Sequence, residues 1–409
     1  MSFNLNSVRE QFSALSQQYN GKPVIFLDGP GGSQVPKSVL DAMTSYLGFY
    51  NSNLGGHFFS SQHTTNLMTQ ARESVQALVN AETPDNMVFG ANMTSLTFQL
   101  SRAISRDWKA GDEIIVTALD HYSNVSSWQQ AAEDKGVVVH QVKVDESNCS
   151  LDMDHYASLL SEKTKLVAVT FASNTTGSIV DVKTVIEQAH SVGAKVYVDA
   201  VHYAPHHLID VQDLGCDFLA CSAYKFFGPH VGIAYIAPQW LQTIQPYKVE
   251  PATNLGAGRF ETGTQSFEGL AGVIQAVEYL SQWGEQGSSL RKRLEQSFSQ
   301  YNQHEQALSE YFLKRLSTLG DKVALHGREE ADSNLRTPTF AVTFKHHHPE
   351  FVAKSLGEHN ICVWNGHFYA LGLIRQLGLE ESGGVVRIGF MHYNTIEEVD
   401  QLFEALNGL

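Results

Sequence analysis

Residues 181–200, DVKTVIEQAHSVGAKVYVDA, decide how this chain folds. Val182, Val185, Ile186 and Ala189 recur at i, i+3, i+4 and i+7, which is a single stripe on a helix. Gly193 follows as the expected C-cap. Lys195 to Val198 then read as a buried strand. Asp199 therefore arrives at the carboxyl end of that strand, the edge at which open α/β sheets bind ligands.

The same alternation extends outward from this unit, from about residue 85 to 240. NMVFG (86–90), EIIVTALD (113–120), VVVHQVKV (137–144), KLVAVTFAS (165–173), CDFLACSAYK (216–225) and GIAYIAP (232–238) are nearly all apolar, and helical patterns separate most of them. One such helix is expected from Thr94 and another near Asn124 to Lys135. Strands of this kind predict a mostly parallel sheet covered on both faces. Past about residue 267 the texture changes. A helix carrying Leu270, Val273, Ile274 and Val277 leads into a long polar helical region ending near Leu319. Short strands then follow in KVALHG, TFAVTF, NICVWN and VVRIGF, before the terminal TIEEVDQLFEAL. The expected division is a large α/β domain over 20–270 and a smaller α+β domain built from 1–19 and 271–409.

Composition narrows the function classes. The 409 residues carry 28 Lys plus Arg against 43 Asp plus Glu, a formal charge of −15, and no strongly basic stretch. A phosphate-backbone footprint is missing, so nucleic acid is not an expected partner. No window approaches the ~20 apolar residues of a membrane helix, and the opening MSFNLNSVREQFSALSQQYNGK lacks the apolar run of a signal peptide. Cys149, Cys216, Cys221 and Cys362 show neither C-x-x-C spacing nor a disulfide framework. They read as reduced, mostly buried thiols, and the expected compartment is cytoplasmic.

The polar residues at the strand ends carry the chemistry. VFGANMTS supplies a Gly-containing turn and Thr94 at a helix start, where free N–H groups suit an anion. His121 follows one strand, Asn174 another, and Asp199 with His202 a third. CSAYK brings Ser222, Tyr224 and Lys225 to the same edge. Pyridoxal phosphate accounts for the set. It needs a lysine for a Schiff base, an acid beside its pyridine nitrogen, an anion pocket and a flat partner over its ring. Lys225, Asp199, Thr94 with Ser222, and His121 supply these in turn. The glycines of FFGPHVG let the backbone turn sharply away after the lysine.

The chain resembles the class V aminotransferase family, in its cysteine desulfurase and selenocysteine lyase branch. The likeness rests on FLDGPGGSQVP, GANMTS, LDHYSN, SNTTGSIVD, VYVDAVHYAPH, CDFLACSAYKFFGPHVGIAY, RFETGT and VVRIGFMHYNTIEEVD. It implies the fold of the aspartate aminotransferase-like, fold-type I pyridoxal phosphate enzymes: a large α/β domain with a mostly parallel sheet, plus a smaller C-terminal α+β domain. It further implies that Lys225 forms the cofactor aldimine and later takes the substrate α-proton. Asp199 would pair with the pyridine nitrogen and His121 would stack on the ring. Thr94, Ser222 and Tyr224 would hold the phosphate, Tyr224 standing where relatives usually have His. His202, at a position that is typically Gln in the desulfurases, and Asn174 would lie near the phenolic oxygen. Thr264 would reach the phosphate of a second subunit, implying a homodimer with shared sites. Arg387 would clamp the substrate α-carboxylate, and Asn174 would lie near that carboxylate too.

The resemblance breaks in VWNGHFYALG (363–372), where the desulfurases read V-R-T-G-H-H and then a cysteine. Trp364 replaces the arginine and Tyr369 takes the cysteine's place. A phenol cannot relay sulfane sulfur as a thiolate does, and Cys362 reads as structural. The expected activity is therefore amino-acid chemistry of the C–S lyase type without a persulfide relay. An aminotransferase, an epimerase, or a cofactor-binding protein without turnover stands as the alternative. Tyr369 reads as a pocket wall or a general acid. KHHHPE (345–350) reads as a loop rather than a metal site. LDGPGG precedes Pro36 and a helix and does not form a dinucleotide fingerprint. Gly55, Gly56 and His57 are expected near the substrate entrance.

Overall fold

The computed structural model describes residues 3–409. Seven strands form the main sheet: β1 (Met87–Gly90), β2 (Glu113–Thr117), β3 (Val138–Val142), β4 (Thr164–Thr170), β5 (Lys195–Asp199), β6 (Phe218–Ser222) and β7 (Gly232–Ile236). Their spatial order is β1-β7-β6-β5-β4-β2-β3. Every neighbouring pair is parallel except those made by β7, which runs antiparallel to both β6 and β1. β7 follows β6 after a short turn, so the chain doubles back instead of crossing over a helix.

The unit at 181–200 folds as its pattern dictates. Asp181 caps the helix Val182–Ser191 by accepting the Thr184 N–H at 3.1 Å. Val182, Val185, Ile186 and Ala189 are all buried against the sheet. Gly193 takes φ +80, and the Ala194 N–H returns to the Ala189 carbonyl, closing the helix in the left-handed manner that favours glycine. β5 then delivers Asp199 to the sheet edge.

A second sheet is antiparallel throughout: β8 (Val323–His326), β9 (Thr339–Phe344), β10 (Trp364–Gly366) and β11 (Val385–Gly389), in the order β8-β9-β11-β10. Leu308, Phe312, Val352, Leu402 and Phe403 of three helices cover it. NICVWN divides. Trp364 enters this sheet, while Ile361–Cys362 pairs in parallel with Ile25–Phe26.

The packing places three segments differently from the expected division. Helix Phe267–Leu280 spans the boundary at 270, and its Val273, Val277 and Leu280 belong to the core of the large sheet. Val8 and Phe12 join that core as well, with the Phe12 ring 5.4 Å from Tyr279 and 5.2 Å from Tyr393. Conversely, Ile25 and Leu27 lie in the smaller core. Helix Leu290–Ser317 ties both together, burying Leu294, Phe298 and Tyr301 on one core and Leu308, Phe312 and Leu316 on the other. Its polar sequence hid this, because only one narrow stripe is apolar.

Candidate active site

A cavity opens at the carboxyl ends of β4, β5 and β6, the edge at which open α/β sheets bind ligands. Thr94, His121, Asn174, Asp199, His202, Ser222, Tyr224 and Lys225 all line it. Eight expected site residues thus meet in one space, although they are scattered over 132 positions of sequence. The sheet topology achieves this by bringing successive strand ends to one edge.

The floor is built from β5 and β6. Asp199 is 4% exposed, and its Oδ1 accepts the Val201 N–H at 2.9 Å. Burial raises its carboxyl to about 6, against the lowering effects of that N–H and of Lys225. Asp199 therefore binds a proton more readily than a solvated carboxylate, and a cationic ring nitrogen beside it would hold it ionised. Lys225 Nζ donates to the Pro30 carbonyl and lies 4.9 Å from the centre of the Tyr224 ring. Withdrawal from water and the Arg387 charge lower its ammonium to about 7, with Asp199 and Asp28 opposing. An amine that sheds its proton near neutrality is a nucleophile and a base.

An anion cup adjoins the lysine. Helix Met93–Ile104 starts here, capped by Asn92, whose side chain accepts the Ser95 N–H. The first-turn N–H groups have no partner within the helix. One of them, Met93 N–H, is held by Ser222 Oγ at 3.2 Å. Thr94 and Ser222 flank the opening. The backbone of Asn92 comes so close to Gly232 that any Cβ there would sit 2.3 Å from the Asn92 carbonyl carbon. Glycine at 232 therefore lets the cup close against β7. These donors suit a dianionic phosphate.

The opposite wall carries His121, His202 and Asn174. His121 Nδ1 bonds Ser123 Oγ at 2.7 Å, and burial plus the Lys225 and Arg387 charges lower its imidazole to about 4. It is thus a neutral ring at physiological pH. His202 Nε2 meets the hydroxyls of Thr337 and Thr339 at 3.1 and 3.0 Å, and burial holds it well below its ordinary range. Asn174 Nδ2 donates to the Phe368 carbonyl, and its backbone carbonyl accepts from Arg387 at 2.9 Å.

Arg387 on β11 is 5% exposed, with its guanidinium 4.1 Å from the centre of the Phe368 ring. Burial lowers it to about 9. Its Nε has no partner. Tyr369 and Trp364 stand outside, 65% and 54% exposed. The Tyr369 ring stacks on His121 at 5.1 Å between centroids, and its carbonyl accepts the Tyr122 N–H. Phe368 and Tyr369 both take left-handed φ, +50 and +60. Two such residues in succession are strained, and the bonds from Asn174 and Tyr122 hold them.

Three other features singled out in the sequence lie outside this cavity. Thr264 is exposed in a neighbouring cleft with Gly90, Ser95 and His230, apart from the lysine's cavity. Gly55, Gly56 and His57 do not line the cavity of their own chain; Gly56 instead packs beside Ser61. Among the consecutive histidines, His348 caps helix Pro349–Glu358 and His347 stacks on Phe351.

Sequence reading missed two acids. Asp28 faces Arg387 and Lys225 from the first loop; its motif LDGPGG shows in the sequence only that it is no dinucleotide fingerprint. Asp120, wholly buried, bonds Thr117 and Asn124, and burial raises it to about 8. It stays protonated at neutral pH and anchors the loop that carries His121. Its position directly before His121 was the available signal.

Fold and site together define an α/β enzyme of the fold-type I class, which uses pyridoxal phosphate. The chain belongs to the aminotransferase class-V family, whose model matches residues 25–402. Members of that family are pyridoxal phosphate-dependent enzymes acting on amino acids. Among its relatives are the aminotransferase-like protein FGM3 of Gibberella zeae, 33% identical over 99% of this chain and 98% of that one. A cysteine desulfurase of Pectobacterium carotovorum is 31% identical, again over 99% and 98%. The cysteine desulfurase structure from Thermococcus onnurineus superposes with a TM-score of 0.89, at 26% identity, covering all of both chains.

Proposed function

We propose that this protein is a lyase for an amino acid with a leaving group on Cβ, sulfur being the first candidate, and that it works without a persulfide relay. One observation carries the reading. The loop that closes over the cavity presents Tyr369, and no thiol stands within it. Cys149, Cys216 and Cys221 are buried in the cores, with burial pushing the first and third up to about 12. Cys362 faces a groove beyond Trp364 and is pushed up to about 11 by burial and by Asp28. None is a thiolate at neutral pH.

Lys225 would anchor the cofactor, with Asp199 for its pyridine nitrogen and His121 for its ring. Thr94, Ser222 and Tyr224 would hold the phosphate, and Asn174 and His202 would serve the phenolic oxygen. Bound pyridoxal phosphate supplies the electron sink that lets an amino acid's α-carbon lose its proton. Arg387 and Asn174 fix the α-carboxylate and so orient the Cα–H bond toward the lysine. Lys225 Nζ takes that proton, a role its lowered basicity suits. The Cβ–leaving-group bond then breaks, the leaving group keeping the electron pair. Tyr369 and Trp364 wall the entrance; a phenol 65% exposed is poorly placed to protonate a group inside.

The working unit in this reading is a homodimer. Leu47, Phe49, Leu54, Phe58 and Phe59 are exposed along one stretch, and Tyr247, Val249 and Leu255 along another. Apolar surface of that extent favours a partner, and the cleft holding Thr264 opens beside the anion cup through Ala91 and Ser95. Thr264 of each chain would then complete the other's phosphate site.

The test is product analysis of the cofactor-loaded protein with cysteine and a panel of β-substituted amino acids. Pyruvate and ammonia with a free leaving group, and no persulfide on the protein by mass spectrometry, is the expected result. A protein-bound persulfide, or amine transfer that requires a keto-acid acceptor, would contradict it.

A further inference from the structure

Asp28 is a carboxylate that the reaction as described leaves idle. It forms a parallel bridge with Gly389, two residues past Arg387 on β11, so both side chains leave the same face of the sheet. Its Oδ1 is buried with no partner. The charges facing it are Arg387 and Lys225; its other titratable neighbours are Tyr393 and the Cys362 thiol, and the Trp364 indole N–H points at it. Lys225 Nζ is tied to Pro30, two residues further along the same loop. The Trp364 indole is packed onto Gly31, where an added Cβ would meet its Nε1 at 2.7 Å and Arg387 Nη2 at 3.6 Å. Lys225 and Pro30 line the cavity, Asp28 and Trp364 line the groove next to it, and Arg387 joins the two through its bond to the Asn174 carbonyl.

Three buried polar atoms of this group lack partners: the Arg387 Nε donor, the acceptor Asp28 Oδ1 on the groove side and the acceptor Asn174 Oδ1 on the cavity side. A ligand that offers a carboxylate to the guanidinium and N–H groups to the two acceptors satisfies all three. A free amino acid has this pattern at its α-carbon. Its nitrogen arrives as an ammonium, however, and must lose a proton before it can attack.

We propose that Asp28 accepts the proton from the incoming substrate's α-ammonium and returns it to the departing product amine. The inference rests on the reading that Lys225 carries pyridoxal phosphate. One N–H bond breaks and one O–H bond forms; the nitrogen keeps the electron pair, and no oxidant or reductant is involved. The other groups at hand are committed elsewhere. Asp199 faces the pyridine nitrogen, His121 covers the ring as a neutral imidazole, and Lys225 is bonded to the cofactor. Burial raises the Asp28 carboxyl above the ordinary range, with Arg387 and Lys225 opposing, which suits a group that must both take and release a proton.

The experiment uses the holoenzyme and its Asp28→Asn and Asp28→Glu variants. The first absorbance change on mixing with cysteine is followed by stopped flow from pH 6 to 9, and the affinity for propionate, a carboxylate with no amine, is measured alongside. Asp28→Asn is expected to slow the first change about tenfold or more at pH 7. The deficit should shrink toward pH 9, where the free amine is abundant, and propionate affinity should stay within about threefold; Asp28→Glu should restore most of the rate. A loss independent of pH, or an equal loss of propionate affinity, overturns the proposal by making Asp28 structural. An unchanged profile in a variant that still binds cofactor overturns this inference alone. A wild-type protein that takes up no cofactor overturns the underlying reading together with it.

Discussion

The two walls of the cavity contrast in how they are made. The cofactor wall rests on β5 and β6, whose residues are buried on both faces, and it ends in Asp199, Ser222 and Lys225. The proposed substrate side rests on the loop around residues 366–370, just outside the cavity lining, and on the 28–31 turn, whose Pro30 reaches the cavity; it carries exposed Trp364 and Tyr369 and two left-handed residues in succession. A wall built on a parallel sheet keeps its side chains in place through packing that tolerates little change. A wall built from loops can change residues without disturbing the core, and the resemblance to the desulfurases implies tyrosine and tryptophan here in place of their cysteine and arginine. Chemistry common to the family is thus separated from the choice of substrate.

The largest effect should come from the rigid wall. Lys225→Ala is expected to lower turnover by at least about 10³-fold, since it removes both anchor and base. Retention of more than a tenth of the wild-type rate would erase the contrast. Asp199→Ala should cost about 10²–10³-fold through loss of the buried counter-charge, while leaving cofactor bound. A far-ultraviolet spectrum unchanged from wild type would separate this from misfolding.

Interface changes come next. Phe59→Asp together with Leu255→Asp should yield a monomer by sedimentation, with activity reduced about tenfold or more as Thr264 is lost from the neighbouring cup. A fully active monomer would show that the anion cup needs no Thr264 from a second chain. A pH effect of similar size follows from Lys225. Its ammonium is lowered to about 7, so the neutral amine is a minor species at pH 6 and the major one at pH 8. Loading of the unloaded protein by pyridoxal phosphate should accelerate about tenfold across that interval. A flat profile would mean that Arg387 and burial do not act on the lysine as described.

The smallest effect belongs to the loop wall. Tyr369→Phe keeps the ring that stacks on His121 and should change kcat by less than about threefold. A loss of about 10²-fold or more, the size of a general-acid contribution, would make the phenol a participant.

The same contrast explains what the sequence made legible. β5 and its helix could be read from the 3.6-residue stripe and Gly193, and Lys225 from its place after an apolar strand. Both signals are local. Asp28 lay hidden because its meaning depends on a bridge to Gly389, 361 residues away. The helix at 267–280 was given the wrong neighbours because its apolar stripe does not say which core it meets. Thr264 could be named from the resemblance, and in the proposed dimer its part in the anion cup would belong to a second chain.

The central claim is that Lys225 carries the cofactor, and borohydride reduction of the pyridoxal phosphate-loaded protein followed by peptide mass spectrometry tests it most directly. The account predicts a single pyridoxyl adduct on the peptide containing Lys225, absent from Lys225→Ala. An adduct on another lysine, or none, would contradict it.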